Sequence, residues 1–178
     1  MALADGMLKE FEQEAHTTRR VLERVPDNRL AWRPHEKART LGELALHVAM
    51  VPGGVVELVA SPSPAQAPAF IDPPLKSASE LIPALERSIA TVTKVLGGMD
   101  DATLMETWRL MRDDRELVAL PRIAMLRSVM LNHWYHHRGQ LTAYLRELGV
   151  PIPSIYGPSA DENPFTASTQ SAASASAG

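Results

Sequence analysis

The residues best able to do chemistry lie in one run, Asn132-His133-Trp134-Tyr135-His136-His137-Arg138-Gly139-Gln140. An α-helix turns about 100° per residue, so with His133 at zero, Leu126 and Tyr144 fall near 20°, His137 near 40° and Met130 near 60°. His136 falls at roughly −60°, on the flank. Two imidazoles therefore share an apolar helix face one turn apart, and burying them is costly unless each finds a partner. Two readings are open. Histidines at i and i+4 can converge on one metal ion, or each can be a core histidine bonded to backbone or water. A His133/His136 pair at i, i+3 could also reach an ion, but it sits less well on the seam.

A metal held by this pair needs a ligand from a facing helix. His47 is the natural candidate, on the edge of an apolar stripe beside Leu44 and Val51. Glu43, one turn earlier, could orient its free ring nitrogen, or could serve only to cap the helix. Gln140 lies near the His133 face, at roughly −20°, where it could bond a ligand or a metal-bound water, or make an interhelical hydrogen bond. Gly139 in a helix interior suggests close approach of another backbone. His16, among Glu14, Arg19 and Arg20, and His35, in a charged connector, read as solvent-facing. With no cysteine in the chain, any metal must be held by nitrogen and oxygen, and any thiol chemistry must bring its thiol from outside.

Four segments with helical periodicity can position these groups. Leu8, Phe11, Ala15, Thr18, Leu22 and Val25 recur at spacings of three and four, ending at Pro26. Thr40-Leu41-Gly42-Glu43 reads as a capping box that opens a second helix through Leu41, Leu44, Val48, Val51, Val55 and Leu58. Pro52-Gly53-Gly54 predicts a kink or break one turn beyond His47. Ser61 to Pro74 holds five prolines and reads as a long crossover along a bundle. Ser77 to Glu80 is a second capping signature, before a third seam through Leu81, Leu85, Ile89, Val92 and Leu96 that Gly97-Gly98 stops. Asp100 to Leu120 reads as irregular or partly helical, with no convincing strand alternation. Pro121 opens a fourth helix that runs to Leu148. The expected architecture is all-α: a four-helix bundle over residues 1–158, with a low-complexity Ala/Ser-rich tail over 159–178 expected to be disordered.

The bulk composition narrows the function. At 178 residues, with 45% hydrophobic and 22% charged residues, the chain suits one globular domain. A net charge of −3 without a basic cluster argues against nucleic acid as partner. The arginines between Arg109 and Arg146 are interleaved with acids or apolar residues and read as a solvated face. Neither a secretory signal nor an uninterrupted apolar run of about 20 residues is evident, so a cytoplasmic protein without membrane contact is expected.

Four parts of the chain together resemble the DinB-like family of metal-binding helical bundles: Trp32-Arg33-Pro34, the Thr40-to-His47 helix start, the His133-x-x-x-His137-Arg138-Gly139-Gln140 run, and Leu145 to Pro151. The resemblance implies a four-helix bundle with a long link between its second and third helices. It also implies a divalent metal held by His47, His133 and His137 in a pocket at one end, and usually a homodimer. Zinc or nickel would be the expected ion, with iron or manganese as alternatives. Pro52-Gly53-Gly54 departs from the family pattern and could reshape the pocket wall.

Three imidazoles leave a coordination position open, the pattern of catalytic rather than structural sites. By resemblance to thiol-dependent transferases and isomerases that use bacillithiol or mycothiol, the favoured reading is metal-activated transfer of an external low-molecular-weight thiol to a small-molecule electrophile. The alternatives are a hydrolase using metal-bound hydroxide, for which no general base is evident, and a non-enzymatic stress or interaction module. An enzyme should carry a cleft over the metal with Trp or Tyr walls; a structural site should be capped.

Overall fold

The structure is a computed structural model that describes residues 2–69 and 73–165. Its frame is a bundle of α1 (Leu3–Leu22), α2 (Leu41–Ala60), α3 (Leu81–Gly97) and a fourth rod. That rod runs through α5 (Arg122–Met125), a π-helical stretch (Leu126–Asn132) and α6 (His133–Glu147); the short α4 (Asp101–Met105) precedes it. The seams read from the sequence face inward: Phe11, Ala15, Thr18 and Leu22 from α1, Leu41, Leu44, Val48 and Val55 from α2, and Leu81, Leu85, Val92 and Leu96 from α3 are all buried.

The helix starts follow their capping residues. Thr40 Oγ1 accepts from Glu43 N at 3.2 Å while the Glu43 carboxylate accepts from Thr40 N at 2.7 Å, satisfying two N–H groups that α2 cannot use itself. Ser77 and Glu80 make the equivalent exchange ahead of α3. The connector before α2 is pinned from both sides: Leu41 N donates to Trp32 O at 2.7 Å and Gly42 N to Leu30 O at 2.9 Å. A Cβ on Gly42 would stand 3.2 Å from that Leu30 carbonyl, so the close approach favours glycine.

Of the kink or break expected at Pro52, the break does not occur: α2 is continuous from Leu41 to Ala60. Proline removes the donor that would have met the Val48 carbonyl. Trp134 Nε1 donates to that carbonyl instead, at 2.7 Å, and Gly53 N donates to Ser88 Oγ at 2.7 Å. Partners on the facing helices satisfy the backbone groups that the proline disturbs, so α2 runs on through it.

The stretch from Asp100 to Leu120 also departs from expectation. After α4 it forms a hairpin of β2 (Thr107–Arg112) and β3 (Arg115–Pro121), and β1 (Ala65–Gln66) from the crossover pairs with β2 in parallel. The turn is Asp113-Asp114, with Asp113 at φ 53°, a conformation that short polar side chains tolerate. A register shift between Leu110 and Met111 interrupts the two-residue period, which is why alternation was not evident. Trp108 fastens the hairpin to the bundle and is fully buried.

One helix among the described residues, Leu41–Ala60, is long and apolar enough by composition to cross a membrane. Length therefore does not exclude a span, as the sequence had suggested. Burial accounts for the composition: 67% of that apolar window is buried inside the fold, as suits the central helix of a bundle. At the other end of the chain, Glu162 pairs with Arg20 and Asp161 with Arg146, so residues placed in the tail are tied to α1 and α6. The tail beyond Phe165 lies outside the described residues.

Candidate metal centre

Two elements bring three imidazoles to a common point. α2 supplies His47 and α6 supplies His133 and His137, and the ligand nitrogens of all three lie within 4.8 Å of one another. His47 Nε2 and His133 Nε2 are 3.3 Å apart. Two nitrogens bound tetrahedrally to one zinc at about 2.0–2.1 Å would be separated by nearly that distance. The ring centroids stand 4.6 Å apart for His47 and His137 and 4.4 Å for His133 and His137, each pair edge to face. The donor set therefore fits a divalent ion. His136 is exposed and outside the group, and so are His16 and His35.

The π-helical stretch sets this geometry. A regular helix from Leu126 onward would carry His133 and His137 in the middle of the buried stripe. The wider i→i+5 turns of Leu126–Asn132 shift the register by about one residue. The buried positions of α6 become Trp134, Arg138, Leu141 and Leu145, and His133 and His137 move to the half-buried rim facing α2.

Arg138 is consequently not part of a solvated face, as its charge had suggested, but is 1% exposed. It pairs with Glu14 at 2.6 Å, donates to Tyr156 OH at 2.5 Å and to Thr18 Oγ1 at 3.2 Å, and lies over the Tyr135 ring. Arg122 is also buried, donating to the Val59 and Ser61 carbonyls at the end of α2. The other arginines of that region, Arg109, Arg112, Arg115, Arg127 and Arg146, are exposed as expected.

The imidazoles are held neutral. Burial, then the nearby Arg39 charge and the other two rings, pushes the His47 pKa down to about 3. Burial also lowers His133, with further lowering by His137, His136 and Arg39. Burial lowers His137 as well, against an opposing hydrogen bond from Gln140. Neutral imidazole is the coordinating form. Gln140 Oε1 lies 3.0 Å from His137 Nδ1, which makes Nδ1 the protonated nitrogen and leaves Nε2 as the ligand. Gln140 Nε2 in turn reaches Tyr144 OH at 3.4 Å, and Trp32 packs edge-on against Tyr144. The Glu43 carboxylate is engaged in the α2 capping box. A Cβ on Gly139 would meet nothing within 4 Å, so no close backbone approach explains that glycine.

A cavity of ≈ 590 Å³ opens beside the three histidines, between α2, α3 and the crossover. Its walls are aliphatic, with Met50, Val51, Val55 and Val129 among them. The cleft over the site is thus present, but no Trp or Tyr is among the described residues that line it.

The sequence profile of the DinB family matches residues 1–168, and the chain belongs to that family. It is 29% identical over 160 residues to the uncharacterized protein YrdA of Bacillus subtilis strain 168, covering 89% of this chain and 90% of YrdA. Among solved structures it is similar to a DinB-like protein of Bacillus cereus ATCC 10987, with a TM-score of 0.67 at 22% identity, covering 85% of this chain and 97% of that one. The DinB-like protein YjoA of Bacillus subtilis superposes with a TM-score of 0.61 at 18% identity, over 82% and 96% of the two chains. These two likenesses extend the shared fold across the whole bundle.

Proposed function

We propose that this chain is a divalent-metal protein whose open three-histidine site activates an external low-molecular-weight thiol for transfer to a small-molecule electrophile. The observation that carries the reading is the convergence of three neutral imidazoles at the edge of a 590 Å³ cavity. A closed structural site needs four protein ligands and no cavity, whereas three ligands and a cleft suit catalysis.

His47, His133 and His137 would hold the ion, zinc or nickel suiting their nitrogen donors, with iron or manganese also admitted. The bound ion supplies Lewis acidity that favours the thiolate over the thiol at neutral pH. Because His47, His133 and His137 are neutral, a divalent ion held by them would keep its full positive charge and would favour an anionic group in the cleft. Gln140 keeps the His137 ring turned with Nε2 toward the site. The aliphatic cavity wall holds the electrophile and keeps water from it. Sulfur then forms a bond to the electrophilic carbon, whose leaving group departs with the bonding pair, and the thiol proton passes to solvent.

The test is metal analysis of the purified protein, followed by a screen of low-molecular-weight thiols against a panel of electrophiles. Thiol-dependent product formation that is lost in His137→Ala supports the reading. Turnover of esters or amides without thiol would favour the hydrolase instead, and a bound metal without turnover would favour a non-enzymatic module. We also propose that the chain acts as a homodimer, which light scattering tests.

A further inference from the structure

Gly53 and Gly54 are neighbours in α2 with opposite surroundings. A Cβ on Gly53 would stand 3.0 Å from Ser88 Oγ and 3.1 Å from Ser88 Cα, so the close approach of α3 favours glycine there. A Cβ on Gly54 would meet nothing within 4 Å, and Gly54 lines the cavity. Packing gives no reason for a helix-interior glycine there, where alanine is the better helix former. Its effect is to leave the cavity wall as bare backbone between Val51 and Val55.

Among the described residues, the charged side chains on the cavity lining are Arg39, Arg87 and Glu57. Arg39 stands near the imidazoles, since its charge bears on all three. Arg87 emerges from α3 at the level of Gly53, because its neighbour Ser88 accepts from Gly53 N at 2.7 Å. On α2, His47 and Gly53 are separated by about 9 Å of helix rise, and Glu57 lies about 6 Å further on. Along α2 the cavity therefore presents imidazoles, then the aliphatic wall of Val51, then Arg87 and the bare backbone of Gly54 at nearly one level, then the Glu57 carboxylate.

We infer that the cavity takes an elongated amphipathic carboxylate, with its hydrocarbon body along Val51 and its carboxylate on Arg87 in the space that Gly54 leaves open. This deepens the proposed function and rests on it for which end reacts. The electrophile would carry its charged group about 9 Å from the reacting atom at the three histidines. Glu57 sets the upper length, because the anion of a longer chain would lie against that carboxylate.

Calorimetric titration of the full chain with octanoate, octanol and acetate tests the inference, using both metal-free and metal-loaded protein. Metal-free protein should bind octanoate about tenfold more tightly than either octanol or acetate. Arg87→Leu should abolish the preference over octanol, and Arg87→Lys should retain part of it. Gly54→Leu should weaken octanoate by about tenfold or more without changing metal affinity, while Gly54→Ala should raise Tm and so show that the helix tolerates a side chain there. Equal binding of octanoate and octanol, a preference that survives Arg87→Leu, or unchanged octanoate binding in Gly54→Leu would each overturn it. Because the decisive titrations use metal-free protein, they can succeed where thiol transfer fails, and fail where it succeeds.

Discussion

Trp134 Nε1 donates to the carbonyl of Val48 at 2.7 Å, the acceptor that Pro52 deprives of its helical partner. The bond ties α6 to α2 one residue from His133 and one from His47, so it fixes the register in which the two histidines meet. Trp134→Phe leaves a buried carbonyl unmet and should cost about 1–3 kcal/mol in a urea unfolding experiment. Pro52→Ala restores the helical N–H. In the Pro52→Ala background the same Trp134→Phe change should cost visibly less, and a double-mutant cycle with no coupling would contradict this account.

The histidines were legible because their chemistry is tied to spacing: His133 and His137 are one turn apart, and His47 sits on a seam that the α2 capping box places in register. The burial of Arg138 was not. A helical wheel assumes a constant turn, and nothing in Leu126 to Asn132 signals the π-helical turns that rotate Trp134 and Arg138 inward. The hairpin was hidden for a related reason, since the irregularity at Leu110/Met111 cuts the alternation of Trp108 and Leu110 short. Local periodicity carries an element's type, but a one-residue irregularity inside it erases the signal.

Arg138 and Glu14 form a buried ion pair that joins α6 to α1 next to His137. Arg138→Met leaves Glu14 without its counter-charge and should destabilise the protein by about 3 kcal/mol or more, read as a fall in Tm. Replacing both residues, Arg138→Met with Glu14→Leu, should recover part of that loss.

The metal-free protein should lose stability in mild acid. The ordinary histidine value is 6.5, and the folded chain holds His47 down to about 3. An unfolded chain therefore takes up protons below pH 6.5 that the folded chain refuses, so folded-state stability is complete above that pH and falls as pH drops toward 3. Urea midpoints measured across this range should decline for the wild type and decline less for His47→Gln. A flat profile in the wild type would contradict the burial of a neutral His47.

Chelation should leave the bundle folded. The core is made by the seams of α1, α2, α3 and the fourth rod, whereas His133 and His137 are half-buried at its rim and only His47 is buried. Far-ultraviolet circular dichroism with and without chelator should agree, with only a modest gain in Tm when metal is added. Loss of helical signal on chelation would place the ion among the structural elements and remove the main support for an enzyme.

The central claim is that His47, His133 and His137, and not His136, form one metal site. Titration of chelator-stripped protein with zinc or nickel tests it most directly, comparing the wild type with His137→Ala and His136→Ala. The expected result is binding of about one ion per chain, lost by a factor of about 100 or more in His137→Ala and nearly unchanged in His136→Ala. Equal losses in the two variants, or a wild type that binds no ion, would contradict it.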